Sequence, residues 1–196
     1  MANTPLKVWT RQIGTSGEDV STALAIGIDG SIYSAGFTNG SLDGVVNIGG
    51  FDAFLTKYNP NGTKAWTRLI ATNADDKAYA VATGIDGSIY VGGYSNGALA
   101  PGAADSYLTK FKSDGAKEWT EVLSTSSADI AQALTTGLDG SIYVTGQTFG
   151  ALESQINAGG SDVFLTKYGS NGVKSWTKLL GSSANDVALA ITTGLN

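Results

Sequence analysis

The chain has 196 residues, which is enough for one large domain with a buried core. It has no cysteine and no histidine, which excludes disulfides, thiolate nucleophiles, histidine metal ligands and histidine-based catalytic triads. The net charge of −5 leaves no basic footprint for nucleic acid. No apolar run approaches the roughly 20 residues that cross a bilayer. The first five residues lack the basic and apolar parts of a signal peptide, so none is expected.

The chain repeats itself three times, and the repeat predicts its organisation. The pair Trp-Thr recurs at spacings of 57, 53 and 57 residues, and the sequence Asp-Gly-Ser-Ile-Tyr recurs in phase with it. The tryptophans are Trp9, Trp66, Trp119 and Trp176. The second repeat is shorter by four residues, and the deficit falls in one loop between Tyr94 and Asp105. A deletion confined to a loop leaves the strands of a repeat intact.

Each repeat begins with two predicted strands joined by a tight turn. Apolar and small residues alternate from Asp19 to Ile28, which is the period of a strand. Asp29-Gly30 then predicts a two-residue type I′ hairpin, because glycine accepts positive φ. The second strand is predicted from Ser31 to Thr38, where β-forming residues are frequent.

A glycine-rich loop, Asn39 to Phe51, leads to the second pair of predicted strands. These run from Asp52 to Tyr58 and from Lys64 to Ile70, and Asn59-Pro60-Asn61-Gly62 predicts a proline-initiated turn between them. No segment keeps a helical period. A helix at Ala78 to Thr83 is the alternative to a strand there, but the aligned copies carry β-branched residues.

Four antiparallel strands per repeat are typical of a β-propeller blade, so we predict an all-β propeller segment. The predicted blades cover residues 18–70, 75–124 and 129–180. An orphan fourth strand is expected at 6–13 and an orphan first strand at 186–193. A β-solenoid is disfavoured because its coils are shorter, and a sandwich would not need such regular repetition.

Several blocks of the chain resemble the SBBP family of bacterial β-propeller repeats. They are Asp-Gly-Ser-Ile-Tyr-Val from Asp86 and Asp139, Gly-Gly-x-Asp-x-Phe-Leu-Thr-Lys-Tyr from Gly49 and Gly159, and Asn-Gly-x-Lys-x-Trp. The second repeat departs from this pattern, with Gly-Ala-Ala-Asp before its third strand. The resemblance implies a propeller fold and a cell-surface or extracellular parent protein. It implies no particular activity.

Two sets of repeated residues are candidate site residues, and both also have a structural interpretation. The four tryptophans could stack on sugars or bases, but recurrence at one strand position favours packing between blades. The aspartates that precede each first strand could hold a cation on the propeller axis. We favour bonding of their carboxylates to backbone amides at the crossover between blades. They are Asp19, Asp76, Asp129 and Asp186.

The loops hold the remaining candidates. The oxygen-rich loops of repeats one and three, which include Asp43 and Glu153, fit a calcium site only loosely, because no Asp-x-Asp-x-Asp-Gly template occurs. The aromatic residues Phe51, Tyr94 and Phe149 could form carbohydrate sites between blades, although they do not align with one another. We therefore predict no catalytic residue, no metal and no cofactor.

The leading functional hypothesis is a non-enzymatic scaffold or interaction module, and the alternative is a carbohydrate-binding, lectin-like propeller. A hydrolase built on carboxylate pairs is a weaker third reading, because repeated equivalent carboxylates do not make an asymmetric catalytic site. Three blades close less than half of a ring. The expected partner is therefore a second copy that completes the ring as a dimer, with an open filament as the competing outcome, or else the remainder of a longer propeller. No nucleic-acid or membrane partner is expected.

Overall fold

The computed structural model describes residues 8–97, 99 and 104–194, and these residues form twelve β-strands and no helix. Accordingly, no helix in the described ranges could span a membrane. The strands are β1 (Asp19–Ile26), β2 (Ile32–Thr38), β3 (Asp52–Tyr58), β4 (Lys64–Ile70), β5 (Asp76–Thr83), β6 (Ile89–Ser95), β7 (Asp105–Phe111), β8 (Lys117–Leu123), β9 (Asp129–Thr136), β10 (Ile142–Thr148), β11 (Asp162–Tyr168) and β12 (Lys174–Leu180).

The strands form three four-stranded antiparallel sheets, each made of consecutive strands in sequence order. We call them blade 1 (β1–β4), blade 2 (β5–β8) and blade 3 (β9–β12). The first strands of successive blades contact one another, β1 with β5 and β5 with β9. This confirms the predicted all-β propeller segment with four-stranded blades. Residues 78–83 belong to β5, so the helical alternative there is wrong.

The hairpin at Asp29-Gly30 is not the predicted type I′ turn. Gly30 has a positive φ of 75°, but Asp29 is absent from the residues with positive φ. The Gly30 N–H donates to Gly27 O at 2.9 Å and the Gly27 N–H donates to Ser31 O at 2.8 Å. This is a three-residue loop, a type I turn followed by a left-handed glycine. The longer loop ends β1 at Ile26, two residues before the predicted end.

Hydrogen bonds to the Asp29 carboxylate explain why aspartate occupies this turn position, where φ is not positive. The Asp29 Oδ1 accepts the Ser31 N–H at 2.9 Å, and the Ser31 hydroxyl donates to Asp29 Oδ2 at 2.8 Å. The same two bonds recur at Asp86 and Asp139. Aspartate therefore closes the turn through its side chain.

Apolar side chains fill the space between adjacent blades. One cluster joins blade 1 to blade 2, with Tyr33 and Leu55 facing Val91 and Tyr107. A second cluster joins blade 2 to blade 3 through Tyr90, Leu108, Leu123, Leu134 and Phe164. Threonine hydroxyls add bonds between first strands, since Thr136 Oγ1 donates to Thr83 O at 2.9 Å.

The two terminal segments are placed like blade strands but form no ladder. Residues 8–13 and 186–193 are not strands, which corrects the prediction of orphan strands, and residues 6 and 7 lie outside the described part of the chain. A strand is defined by a ladder of backbone hydrogen bonds to a neighbouring strand. Neither segment forms such a ladder with the described residues. The Asp186 N–H nevertheless donates to Ser161 O at 2.7 Å, the equivalent of the bond from Asp76 to Phe51 O.

Candidate functional site: the blade junctions

Three of the four repeated tryptophans lie against a glycine turn of the following blade. Trp66 in β4 contacts the turn at Gly115, where an added Cβ would lie 3.0 Å from the indole ring. The guanidinium of Arg68 stacks over Trp66 at 5.3 Å, and its Nε donates to Gly115 O at 2.9 Å. Tyr33 meets the same indole, with the ring centroids 6.1 Å apart. A tryptophan, a cation and a glycine turn thus join one blade to the next.

The contact between a tryptophan and a glycine turn recurs on both sides of this one, although Glu121 takes the place of the arginine in blade 2. Trp119 packs at Gly172, where an added Cβ would lie 3.2 Å from the indole. Trp9, in the segment ahead of blade 1, packs on Gly62 in the same way. Its neighbour Arg11 donates from Nε to Gly62 O at 2.6 Å, as Arg68 does to Gly115.

Trp176 is the exception, because no described residues supply the next turn. Its exposed fraction is 36%, and Leu180 on the same strand is 76% exposed. At the equivalent position in blade 2, Leu123 is only 5% exposed. Blade 3 therefore presents to solvent the side chains that are covered on blade 2. We call this surface, formed by Tyr143, Trp176 and Leu180, the open face.

The aspartates that precede each first strand bind the crossover backbone. The Oδ2 of Asp19, Asp76, Asp129 and Asp186 accepts the amide N–H of the residue four positions earlier, at 2.5 to 2.7 Å. Asp19 also accepts the Thr38 hydroxyl on its Oδ1 at 2.6 Å. These contacts hold the chain as it passes from one blade to the next.

A second set of aspartates opens the third strand of each blade, at Asp52, Asp105 and Asp162. Strand register places each of them in a row with a hydroxyl residue and a first-strand aspartate, as in Asp19–Thr38–Asp52. Asp52 and Asp162 accept a loop amide on Oδ2, from Ile48 at 2.8 Å and from Ala158 at 2.7 Å. Asp52 and Asp162 therefore close their loops.

The rows of neighbouring blades meet end to end at the crossovers. The Asp76 N–H donates to Phe51 O at 2.6 Å, so Asp76 lies beside Asp52. The Asp129 N–H donates to Ala104 O at 2.8 Å, which brings Asp129 beside Asp105. Each junction thus contains two aspartates 24 residues apart in the chain. All four of these carboxylate residues are fully buried.

The pKa values of the aspartates in these rows are shifted in different directions. Burial raises the pKa of Asp52 to about 6, opposed by the Ile48 amide and reinforced by the negative charge of Asp76. Burial likewise raises the pKa of Asp129, against hydrogen bonds from Thr148 and Thr125 and with a contribution from Asp105. The pKa of Asp19 is lowered, because its hydrogen bonds from Thr38 and Thr15 together outweigh burial, the largest single influence.

The long loops use their polar atoms on the protein itself. Asp43 pairs with Lys64 and accepts the Thr67 hydroxyl, and Glu153 pairs with Lys174. Asn47 donates from Nδ2 to Thr38 O at 3.2 Å. Within the described ranges, no three acidic side chains form a group that could hold a metal ion.

The three candidate loop aromatics lie in different surroundings. Phe51 packs edge-on against Phe37, and the Lys77 ammonium lies 4.4 Å from its ring centroid. Tyr94 stacks with Tyr79 at 5.8 Å, whereas Phe149 is 44% exposed. A groove of about 990 Å³ opens between β4 and β8, and none of these three aromatics lines it. The structure does not bring Phe51, Tyr94 and Phe149 together.

The buried aspartate pairs are the feature that sequence reasoning missed. The two aspartate sets recur in phase, so a constant offset of 24 residues was visible in the sequence. That offset alone does not predict proximity, because the intervening residues form two strands, the turn between them and the crossover to the next blade. The pairing follows from the register of three strands and the packing of two blades.

Comparison with known proteins agrees with this architecture. Residues 65–99 match the SBBP family model, described as a beta-propeller repeat. The match begins in β4 and extends through β6, so it includes the crossover between blades 1 and 2. It confirms, over those residues, the resemblance inferred from the sequence.

Two curated proteins are similar to the chain. A regulatory protein named FlaEY from Caulobacter vibrioides is 30% identical over 124 residues, 55% of this chain. An uncharacterized WD repeat-containing protein, L264, from Acanthamoeba polyphaga mimivirus is 25% identical over 74% of this chain. The chain spans 13% of the length of each. A crystal structure of a protein of unknown function from Bacteroides caccae, 14% identical, matches 89% of this chain and 50% of that chain with a TM-score of 0.49.

Proposed function

We propose that the chain is a non-enzymatic scaffold or interaction module that binds through the open face of blade 3. The observation that carries this proposal is the difference between Leu123 and Leu180, which are 5% and 76% exposed at the same position of the repeat. The repeated carboxylates also favour a structural role, because they accept backbone amides at crossovers and loops. A reactive carboxylate would need access to a substrate.

We further propose that the occupant of the open face is a second copy of this chain. The internal junctions define what an occupant must offer: a glycine turn for the tryptophan and a turn carbonyl for the neighbouring lysine. Lys57 donates to Ser113 O and Lys110 donates to Ser170 O, each at 3.2 Å. Lys57 also lies 3.5 Å from Asp29 of its own blade, and Lys167, the equivalent in blade 3, keeps the matching contact with Asp139 at 3.5 Å but has no turn carbonyl among the described residues. A blade of the same repeat type offers this turn.

The second copy would have to compete with residues 8–13. In each molecule the turn of blade 1 is already occupied, with Trp9 on Gly62 and the Trp9 Nε1 donating to Pro60 O at 3.3 Å. The contact of Trp9 with Gly62 therefore shows how Trp176 would bind. It also occupies the turn that Trp176 of a second copy would need. Weakening the Trp9 contact should promote association, whereas weakening the Trp176 contact should oppose it.

Sedimentation velocity on the wild-type chain and two variants tests this proposal. We expect wild type to associate at micromolar concentration, Trp176→Ala to shift the equilibrium towards the 20.0 kDa monomer, and Trp9→Ala to shift it towards dimer. The two variants remove the same side chain at equivalent positions, so each is a control for the other. A folded wild type and Trp9→Ala that both remain monomeric would overturn the proposal. Equal shifts in the same direction would also contradict it.

A further inference from the structure

The junction between blades 1 and 2 contains three buried polar atoms with no hydrogen-bond partner in the described residues. They are the Oδ1 atoms of Asp52 and Asp76 and the hydroxyl of Tyr107. The Oδ1 atom of Asp162 has the same property at a neighbouring row. Each of these side chains is at most 2% exposed. Buried polar groups in native proteins are nearly always satisfied, so these atoms require an explanation.

The two aspartates at this junction are placed alike. The Oδ2 of each accepts an amide N–H, from Ile48 at 2.8 Å and from Thr72 at 2.5 Å, which leaves Oδ1 for another partner. The bond from the Asp76 N–H to Phe51 O holds the two residues side by side. Two buried carboxylates at close range cannot both remain charged without a large cost.

We propose that Asp52 and Asp76 share one proton, which lies between their Oδ1 atoms and joins blade 1 to blade 2. One carboxyl group donates and the other, ionised, accepts. A single proton thus satisfies both orphaned oxygens and removes one of the two buried charges. A bound calcium ion fits less well, because calcium takes six to eight oxygens and no third acidic side chain joins a pair in the described ranges.

The surroundings of the pair contain further titratable groups. Asp75, Lys77 and Tyr79 lie on or beside β5, with Tyr94 on β6 and Tyr107 on β7. Burial raises the pKa of Tyr94 and of Tyr107, with a contribution from the charge of Asp76, so these two phenols stay neutral. Asp75 accepts the Phe51 N–H at 3.0 Å, and the Lys77 ammonium sits over Phe37 and Phe51.

The shared proton makes the stability of the junction depend on pH. Because the pKa of Asp52 is raised in the folded protein, to about 6 from 3.8, the folded state holds the proton more tightly than the unfolded state. Its contribution is complete below the unfolded pKa and is lost as the pH rises through the folded pKa. The equilibrium constant for unfolding should therefore increase about tenfold between pH 5 and pH 7.5.

Carboxyl-detected NMR titration of the full chain labelled with ¹³C at the aspartate carboxyl carbons tests the proposal directly. We expect the Asp52 resonance to titrate near 6 in the wild type. Asp76→Asn, which keeps the shape but loses the second charge, should move this titration towards lower pH. Asp19→Asn is the matched control, since Asp19 has the same strand position and both its oxygens bonded. It should leave the Asp52 titration unchanged.

Urea unfolding of the same three proteins gives the second measurement. The fall in the unfolding midpoint from pH 5 to pH 7.5 should be smaller in Asp76→Asn than in wild type, and unchanged in Asp19→Asn, whose midpoint is lower at each pH. An Asp52 resonance that titrates at or below the ordinary aspartate range would overturn the proposal, and so would a wild-type midpoint independent of pH. A midpoint at pH 7.5 that rises with about 1 mM calcium in the wild type, but not in Asp76→Asn, would assign the site to a cation instead.

Discussion

Blade 2 and blade 3 end in nearly the same strand and bury it very differently. Strands β8 and β12 both read Lys-x-Trp-Thr followed three residues later by leucine. On blade 2 the leucine and the tryptophan pack into the cluster shared with blade 3, whereas on blade 3 they face solvent. The motif thus encodes half of an interface. Its contribution to stability depends on whether the next blade is present.

The largest expected effect comes from the leucine of this motif. Leu123→Ala should lower the free energy of unfolding by about 3 kcal/mol, because it leaves a cavity between two blades. In the monomer, at a protein concentration too low for association, Leu180→Ala on the open face should change it by less than about 0.5 kcal/mol. Urea denaturation of the two variants measures the difference. Equal losses in the monomer would contradict the exposure of Leu180 on the open face.

An intermediate effect is expected at the glycine turns. Gly115 and Gly87 have similar positive φ, 84° and 78°, but only Gly115 lies against a tryptophan. Gly87→Ala should cost about 1 kcal/mol for the left-handed backbone alone, and Gly115→Ala about 2 kcal/mol because the new methyl meets Trp66. Thermal unfolding distinguishes them. A Gly87→Ala variant as unstable as Gly115→Ala would show that the blade contact adds nothing.

The smallest effect is expected at the arginine beside Trp66. Arg68→Ala removes both the stacking on Trp66 and the bond to Gly115 O, and should lower stability by about 1 kcal/mol. Lys178 occupies the same position on the exposed strand β12, and Lys178→Ala should be neutral in the monomer, at a protein concentration too low for association. Differential scanning calorimetry should resolve a decrease in Tm of about 2 to 4 °C for the first variant. A comparable decrease for Lys178→Ala would contradict the comparison.

Strand positions were largely predictable from the sequence. The third and fourth strands of repeat one begin and end at the predicted residues, because alternation and the Asn59–Gly62 turn mark both ends. The first hairpin was predicted incorrectly, because Asp-Gly fits either a two-residue turn or a type I turn closed by glycine. The choice between the two turns is made by the Asp29 side chain bonding Ser31, which is a local contact that the dipeptide alone does not specify.

The terminal segments show a different limit of sequence reasoning. Residues 186–193 alternate as a strand does, yet they form none, because a strand requires a ladder partner and the described chain offers none there. The placement of Trp9 on Gly62 was also not predictable, since it joins residues that are 53 positions apart. The local sequence pattern thus gives the tendency of a segment to form a strand, and the presence of a hydrogen-bonding partner determines whether the strand forms.

The sequence by itself determined the repeat, the four strands of each blade and the positions of tryptophan, aspartate and glycine within them. These properties follow from local periodicity and turn chemistry, which are written in consecutive residues. The tertiary structure alone decided which of the equivalent residues are buried and which carboxylates meet. Asp52 and Asp76 become a pair, and Trp176 becomes exposed, because burial and proximity depend on the neighbouring blade and not on the residues adjacent in the chain.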